Sequence, residues 1–392
     1  MPFFGSWPSW PRLGPARAGR KAANPAMPLL ALHGSGEARW SSPERAALAR
    51  EGFQRKPVVH RCVVMIAEAA ASMPWLMYEG DREIVKHPAL DLLRRPAPGR
   101  PGRAFLERLA GHLLLSGNGF VQAALLEGRP RELHLLQPER VRMVEGGDGW
   151  PTACEYGEGT RRQVFDLAAD PPHVLHLAQF NPLDECRGMA SLCAAHMALD
   201  IHNTASRWNK ALLDNSARPS GALVYNAPDA ANLTADQFAR LKSELEEGYA
   251  GSERAGRPML LEGGLDWKAM GFSPRDMDFI EAKNGAARDI ALAYGVPPML
   301  LGIPGDLTHA NYHEANRALW RQTVLPFSAR LAEGLGTWLA AHFDEDFRLE
   351  LDRDGVEALA GDRESLWKRL NEASFLDEDE RREAAGYEPR RR

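Results

Sequence analysis

Across positions 189–215 the chain carries neither proline nor glycine, and its Ala, Leu and polar side chains read as one unbroken helix. At 1.5 Å per residue such a helix is about 40 Å long. Its polar positions, Asp200, His202, Asn203, Arg207, Asn209, Lys210, Asp214 and Asn215, leave a narrow apolar stripe. Core cannot wrap it on all sides, so it should project or lie beside copies of itself.

A second long helix is marked at both ends. Ser273 is a cap residue, Pro274 takes the first helical position and Asp276 lies three past the cap, while Gly295 and Pro297-Pro298 close the run about 30 Å further on. A loop over 301–308, with Gly302, Pro304 and Gly305, follows it. Asn311, with Glu314 three residues on, signals the start of another helix that runs to about Phe343 with a kink at Pro326. Two long helices therefore flank one glycine-containing loop.

Upstream, 57–188 is an irregular α+β mixture. Val59, Val63, Ile66 and Ala70 have helical spacing and stop at Pro74. Helices are expected over 87–95 and 105–115, the second ending in the turn Ser116-Gly117-Asn118-Gly119. Short strands are expected at 75–78, 120–126, 132–136, 141–144 and 174–177. Between the two long helices, 216–272 reads as a small αβ module: a strand over 219–225, a helix over 234–249 capped by Thr234, and short strands at 259–261 and 265–270. After a strand at 347–351 the end of the chain is helical and charged, over 363–371 and 379–385.

The balance of 48 basic and 53 acidic residues gives a formal charge of -5, which argues against a protein that grips nucleic acid by neutralising many phosphates. Cys62, Cys154, Cys186 and Cys193 form no CxxC pair and read as reduced thiols. No apolar run approaches the ~18 residues needed to cross a bilayer. Residues 1–56 begin with a proline- and arginine-containing tail without a continuous apolar segment, read as disordered or docking. The dipeptide Gly-Lys is absent, and with it any GxxxxGK[ST] phosphate loop; GxGxxG, HExxH and GxSxG are absent too. His309 and His313, with Glu314 beside the second, have metal-ligand spacing, but no third ligand matches them and they read as loop and cap residues.

Taken in order, several blocks resemble the portal proteins of long-tailed phages. They are Cys62-Val-Val-Met-Ile-Ala-Glu-Ala-Ala-Ala-Ser-Met-Pro-Trp, His87-Pro88 with the residues to Leu93, and Leu113 to Phe120 around Gly117-Asn118. Further on come Arg218-Pro219-Ser220-Gly221, Phe272-Ser273-Pro274-Arg275-Asp276-Met277, Gly295-Val296-Pro297-Pro298, Leu325-Pro326, and Asp379-Glu380-Arg381-Arg382 with Gly386-Tyr387-Glu388-Pro389. Ala205-Ser206-Arg207-Trp208 and Arg257-Pro258-Met259 look most similar to portals of gene transfer agents. Arg95-Pro96-Ala97-Pro98 departs from the Pro-Asn common in the family.

The resemblance implies an α+β portal fold: a wing over 57–188, stem helices over 189–215 and 273–297, and a clip over 216–272. A tunnel loop over 298–311, a long kinked helix over 312–343, and a wing strand with a short crown over 344–392 complete it. It implies a non-enzymatic ring of identical copies, usually twelve, without cofactor or metal. Such a ring sits at one capsid vertex after assembly in the bacterial cytoplasm, and double-stranded DNA passes through it. Its other implied partners are the major capsid protein, the large terminase subunit and a head-tail adaptor, with no membrane. Gly302, Pro304, Gly305, Asp306, Thr308 and His309 would face DNA; Glu244, Glu246 and Glu247 would meet terminase or adaptor; Arg207, Lys210, Asp278, Glu281 and Lys283 would lie on the stem. The competing readings are an oligomeric scaffold or pore of other function, and a metal-dependent hydrolase built on His309, His313 and Glu314.

Overall fold

The computed structural model describes residues 49–147, 149–158, 161–214, 221–225, 234, 236–237, 239–240, 243, 265–269, 279–305, 309–387 and 390. The tail up to residue 48, the cap expected at Ser273, the strand expected at 259–261, and Asp278, Glu244, Glu246, Glu247, Asp306 and Thr308 lie outside them.

The first helix, α1 (Pro57–Ser72), starts where proline costs nothing, because the first-turn amide has no helical acceptor. The expected stripe of Val59, Val63, Ile66 and Ala70 is buried, joined by Cys62, Ala67 and Ala71. The residue before Pro74 is driven to an extended conformation, and the helix ends there. After β1 (Trp75–Glu79) and β2 (Arg82–Glu83), the short α2 (Pro88–Arg94) is capped by His87, whose Nδ1 accepts the Ala89 amide. Its Nε2 then faces Glu345 at 2.9 Å.

Helix α3 (Gly102–Ser116) packs along α1 and ends at Gly117, whose φ of 75° is left-handed. A Cβ at Gly117 would lie 2.5 Å from the Met189 carbonyl carbon, so glycine is required there both by conformation and by space. The chain then enters β3 (Asn118–Leu126), the middle strand of an antiparallel sheet with β4 (Arg129–Leu136) and, further along the chain, β8 (Val174–Ala178). Phe120 pairs with Leu136 on one side and with His176 on the other. Asn118 joins the segments: its Oδ1 accepts from the Gly188 amide and meets His176 Nε2 at 3.0 Å.

Between β4 and β8 lies a meander of β5 (Val141–Glu145), β6 (Pro151–Glu158) and β7 (Arg161–Asp166). The last two strands were not anticipated from sequence. They enclose a small core of Phe120, Leu136, Val141, Cys154, Phe165 and Val174. All four cysteines are free, and burial pushes the Cys62 thiol up to about 12 and the Cys154 thiol to about 11.

The region expected as one helix over 189–215 is two segments, α4 (Ser191–Ala194) and α5 (His196–Asp214), with a break at Ala195. Next come the antiparallel pair β9 (Gly221–Tyr225) and β10 (Leu265–Ala269). Thr234 is a cap as expected: its Oγ1 accepts from the Gln237 amide at 3.3 Å and its own amide donates to Gln237 Oε1 at 3.0 Å. Helix α6 (Phe279–Ala293) returns alongside α5.

Asn311 is not a helix cap. It lies inside α7 (His309–Leu319), so the histidine expected to precede the helix is also within it. A five-residue π-turn, Trp320–Val324, then leads into α8 (Leu325–Phe343), with Pro326 near its start. Proline offers no amide to the preceding turn, and the irregularity falls in that turn. Trp338 Nε1 donates to the Pro172 carbonyl at 2.7 Å, and His342 Nε2 approaches the same oxygen at 3.1 Å. The closing strand β11 (Arg348–Leu351) pairs with β1, followed by α9 (Ala360–Glu372) and α10 (Glu378–Ala384).

Candidate functional site

The helix pair α5 and α6 does not follow the polarity expected of it. The expectation set polar residues on the outside of α5, yet Asp200, His202 and Asn203 are buried while Met197 and Ile201 are 62% and 41% exposed. On α6, Ile280 and Leu292 are 70% and 78% exposed. The apolar stripe that does turn inward consists of Leu199, Ala198 and Ala205 from α5, and of Ala286, Ala287, Ile290 and Ala291 from α6. Small alanines let the two backbones approach closely.

The buried polar residues explain part of the inversion. Asp200 sits one turn after His196, with 3.7 Å between carboxylate and imidazole. His202 Nδ1 and Asn203 Oδ1, by contrast, are buried without a hydrogen-bond partner among the described residues. Burial, with Lys56 and Lys283 nearby, lowers the His202 pKa to about 4, so its ring is neutral at neutral pH. Of the stem residues singled out in the sequence, Arg207, Lys210 and Glu281 are exposed and Lys283 is half-buried.

At the far end of α6, Gly295 adopts a φ of 66° and its carbonyl accepts from Thr323 Oγ1 at 2.6 Å. A turn of 3₁₀ helix, Pro298–Leu301, follows and ends at Gly302, with φ 70°. Ile303 is then tucked into the protein while Gly302, Pro304 and Gly305 are exposed. The Arg288 guanidinium of α6 donates to the Pro304 carbonyl and ties the loop back to the helix. The loop therefore closes by His309, not Asn311, and is shorter than the expected 298–311.

For the hydrolase reading, Glu314 is engaged by Arg317 at 3.1 Å, and among the described residues no three His, Cys, Asp or Glu side chains are grouped to hold a metal ion. No described helix is long and apolar enough to cross a membrane.

Comparison with known proteins gives this architecture a family. The model of the phage portal protein family matches residues 57–386. An uncharacterized protein of Rickettsia felis is 39% identical over 350 residues, 88% of this chain and 90% of its own length. Two solved structures are similar in both sequence and fold. A chain from the neck of an empty gene transfer agent particle computed with C6 symmetry is 48% identical, has a TM-score of 0.73, and matches over 91% of this chain and 96% of its own. A chain from the neck of a native gene transfer agent particle computed with C12 symmetry is also 48% identical, with a TM-score of 0.70 over 91% and 97%. The family model spans the wing-like α+β region, the inverted helix pair and the closing helices alike, and on that match the chain belongs to the phage portal protein family, whose members are structural and not enzymes.

Proposed function

We propose that this chain is the subunit of a closed ring, of twelve copies, set at one vertex of a phage-like capsid and serving as the conduit for double-stranded DNA. The observation that carries the ring is the pair α5 and α6, whose exposed Met197, Ile201, Ile280 and Leu292 have no cover within the subunit. Exposed aliphatic side chains on two adjacent helices are what neighbours in a cyclic assembly bury. The C12 symmetry of the similar gene transfer agent neck supports the copy number.

In this reading 57–188 forms the wing, α5 and α6 the stem, and the segment between them the clip that meets the large terminase subunit and later a head-tail adaptor. The loop after Leu301 turns toward the channel and presents Gly302, Pro304 and Gly305 near passing DNA; Asp306, Thr308 and His309, the last at the start of α7, are the further residues assigned to that contact. The formal charge of -5 per subunit suits a passage in which DNA slides and is not held. Mass photometry of the purified full chain at about micromolar concentration should show a closed ring with a central channel in negative stain. A compact monomer at every salt concentration would overturn the proposal.

A further inference from the structure

Three cations gather where α1 begins. Lys56 precedes α1, Arg207 lies on α5 and Lys283 on α6. The Lys56 amide donates to the Gly52 carbonyl at 2.8 Å, and Gly52 packs against Leu199 of α5, less than a turn before His202. The charges of Lys283 and Arg207 act on Lys56, and those of Lys56 and Lys283 on the buried His202. None of the three forms an ion pair among the described residues. Glu51, whose charge also acts on Lys56, is paired with Arg55 at 2.6 Å.

The end of α1 adds donors to this cluster. Lys56 provides no side-chain cap, the first turn contains no acid, and the amides of Val58 and Val59 have no backbone acceptor among the described residues. The N-terminus of a 16-residue helix thus points its positive end into a group of positive side chains. Beside it, His202 is 5% exposed and its Nδ1 has no partner among the described residues. Burial and the charges of Lys283 and Arg207 lower the Lys56 pKa, as expected where like charges crowd without a counterion. Every one of these features favours a bound anion.

We infer that this cluster receives a carboxylate from the neighbouring copy of the chain, and that the carboxylate is Glu281. The inference rests on the ring reading above. Rotation about a ring axis leaves height along that axis unchanged, so groups on one copy meet groups of similar height on the next. Glu281 is two residues from Lys283, hence at nearly the same height but about 200° around α6. It is exposed and makes no ion pair among the described residues, while Lys283 turns inward. Glu281 thus faces away from the cations at nearly the same level, the arrangement in which a head-to-tail contact would bring one copy's Glu281 to the next copy's cluster. The exposed Met197 and Ile201 of α5 and Leu292 of α6 extend the same contact with apolar surface.

The test is charge reversal in the full chain, read as ring fraction by mass photometry, with thermal melting to confirm folding. Glu281→Arg, or Arg207→Glu with Lys283→Glu, should lower the ring fraction about tenfold at low salt, Glu281→Gln should do so less, and all three reversals together should restore rings. Arg207→Cys combined with Glu281→Cys should give covalent multimers on oxidation, whereas either alone should not. If the wild-type chain makes no rings, both this contact and the ring reading fail. If rings form but ignore the reversals and the cysteine pair does not cross-link, only this contact fails. A melting point of the Glu281→Arg chain raised by inorganic phosphate, with rings indifferent to the reversals, would make the cluster a small-anion site and overturn the neighbour assignment.

Discussion

The region built on α1 and α3 and the pair formed by α5 and α6 use the same residue types to opposite ends. In the first, Ile66, Leu109 and Met77 are fully buried and Asn118 is hydrogen-bonded, although His112 Nδ1 of α3 and Trp75 Nε1 of β1 are buried without a partner among the described residues. In the second, aliphatic side chains face outward while His202 and Asn203 are buried with unpaired atoms. Burying a polar atom without a partner costs on the order of 1–3 kcal/mol, and exposing a large aliphatic side chain forgoes its burial. No large apolar side chain of α1 or α3 is exposed, so it is the covering of its apolar surface within one subunit that sets the first region apart. The second is complete only when something covers it.

Substitutions should separate the two. The largest effect is expected at Ile66, where Ile66→Ala removes a fully buried side chain and should lower the unfolding free energy by about 2–5 kcal/mol in denaturant titration. A smaller loss would mean that the α1 core can collapse around the cavity.

Acid should come next. His176 stacks on Phe120, and burial with Arg187 nearby lowers its pKa to about 4 from an unfolded value of 6.5. The folded state thus binds fewer protons than the unfolded state in this window, so the stability contributed by the neutral ring is present above pH 6.5 and is lost as pH falls toward 4. His202 carries the same depression in the single subunit. Melting followed from pH 7 to pH 4 should fall less steeply in His176→Gln than in wild type, equally in rings and in dissociated chains. A carboxylate seated near His202 would instead make that histidine's share differ between the two.

Smaller again is Trp338→Phe, which deletes the donor to the Pro172 carbonyl but keeps most of the ring; about 1 kcal/mol is expected from melting. The smallest change in subunit stability, within ~0.5 kcal/mol, is expected from Leu292→Ser, because the side chain is 78% exposed. Its effect should appear in the ring fraction, and an unchanged ring fraction would count against the contact between copies.

What could be read from the sequence tracks this contrast. Val59, Val63 and Ile66 announced α1 because helical apolar spacing and core burial coincide there, and Gly117 announced a turn because its left-handed backbone demands glycine. The strands β6 and β7 escaped notice. Pro151 opens the first and Gly157 interrupts it, and in the second Arg161-Arg162-Gln163 precede Val164-Phe165, so only Cys154 and Phe165 report the buried face. Asn311 looked like a cap by residue type, but a cap is a backbone conformation and the helix was already under way. Neither the inward turn of His202 nor the cation cluster was legible: polar residues on a helix read as solvated unless the facing helix is known. Lys56 is distant in sequence from Arg207 and Lys283, and only the packing of α1, α5 and α6 brings them together.

The clasp between Arg288 and the Pro304 carbonyl has a mechanical consequence. Because the guanidinium belongs to α6 and the carbonyl to the loop beyond it, the loop is anchored at two points of one stiff rod, at its connecting end and partway along its length. A push on Pro304 is delivered as a lever on that rod before the loop itself can yield. Where rods are set edge to edge, tilting one displaces the next, and a disturbance at a single loop would be felt around the circle.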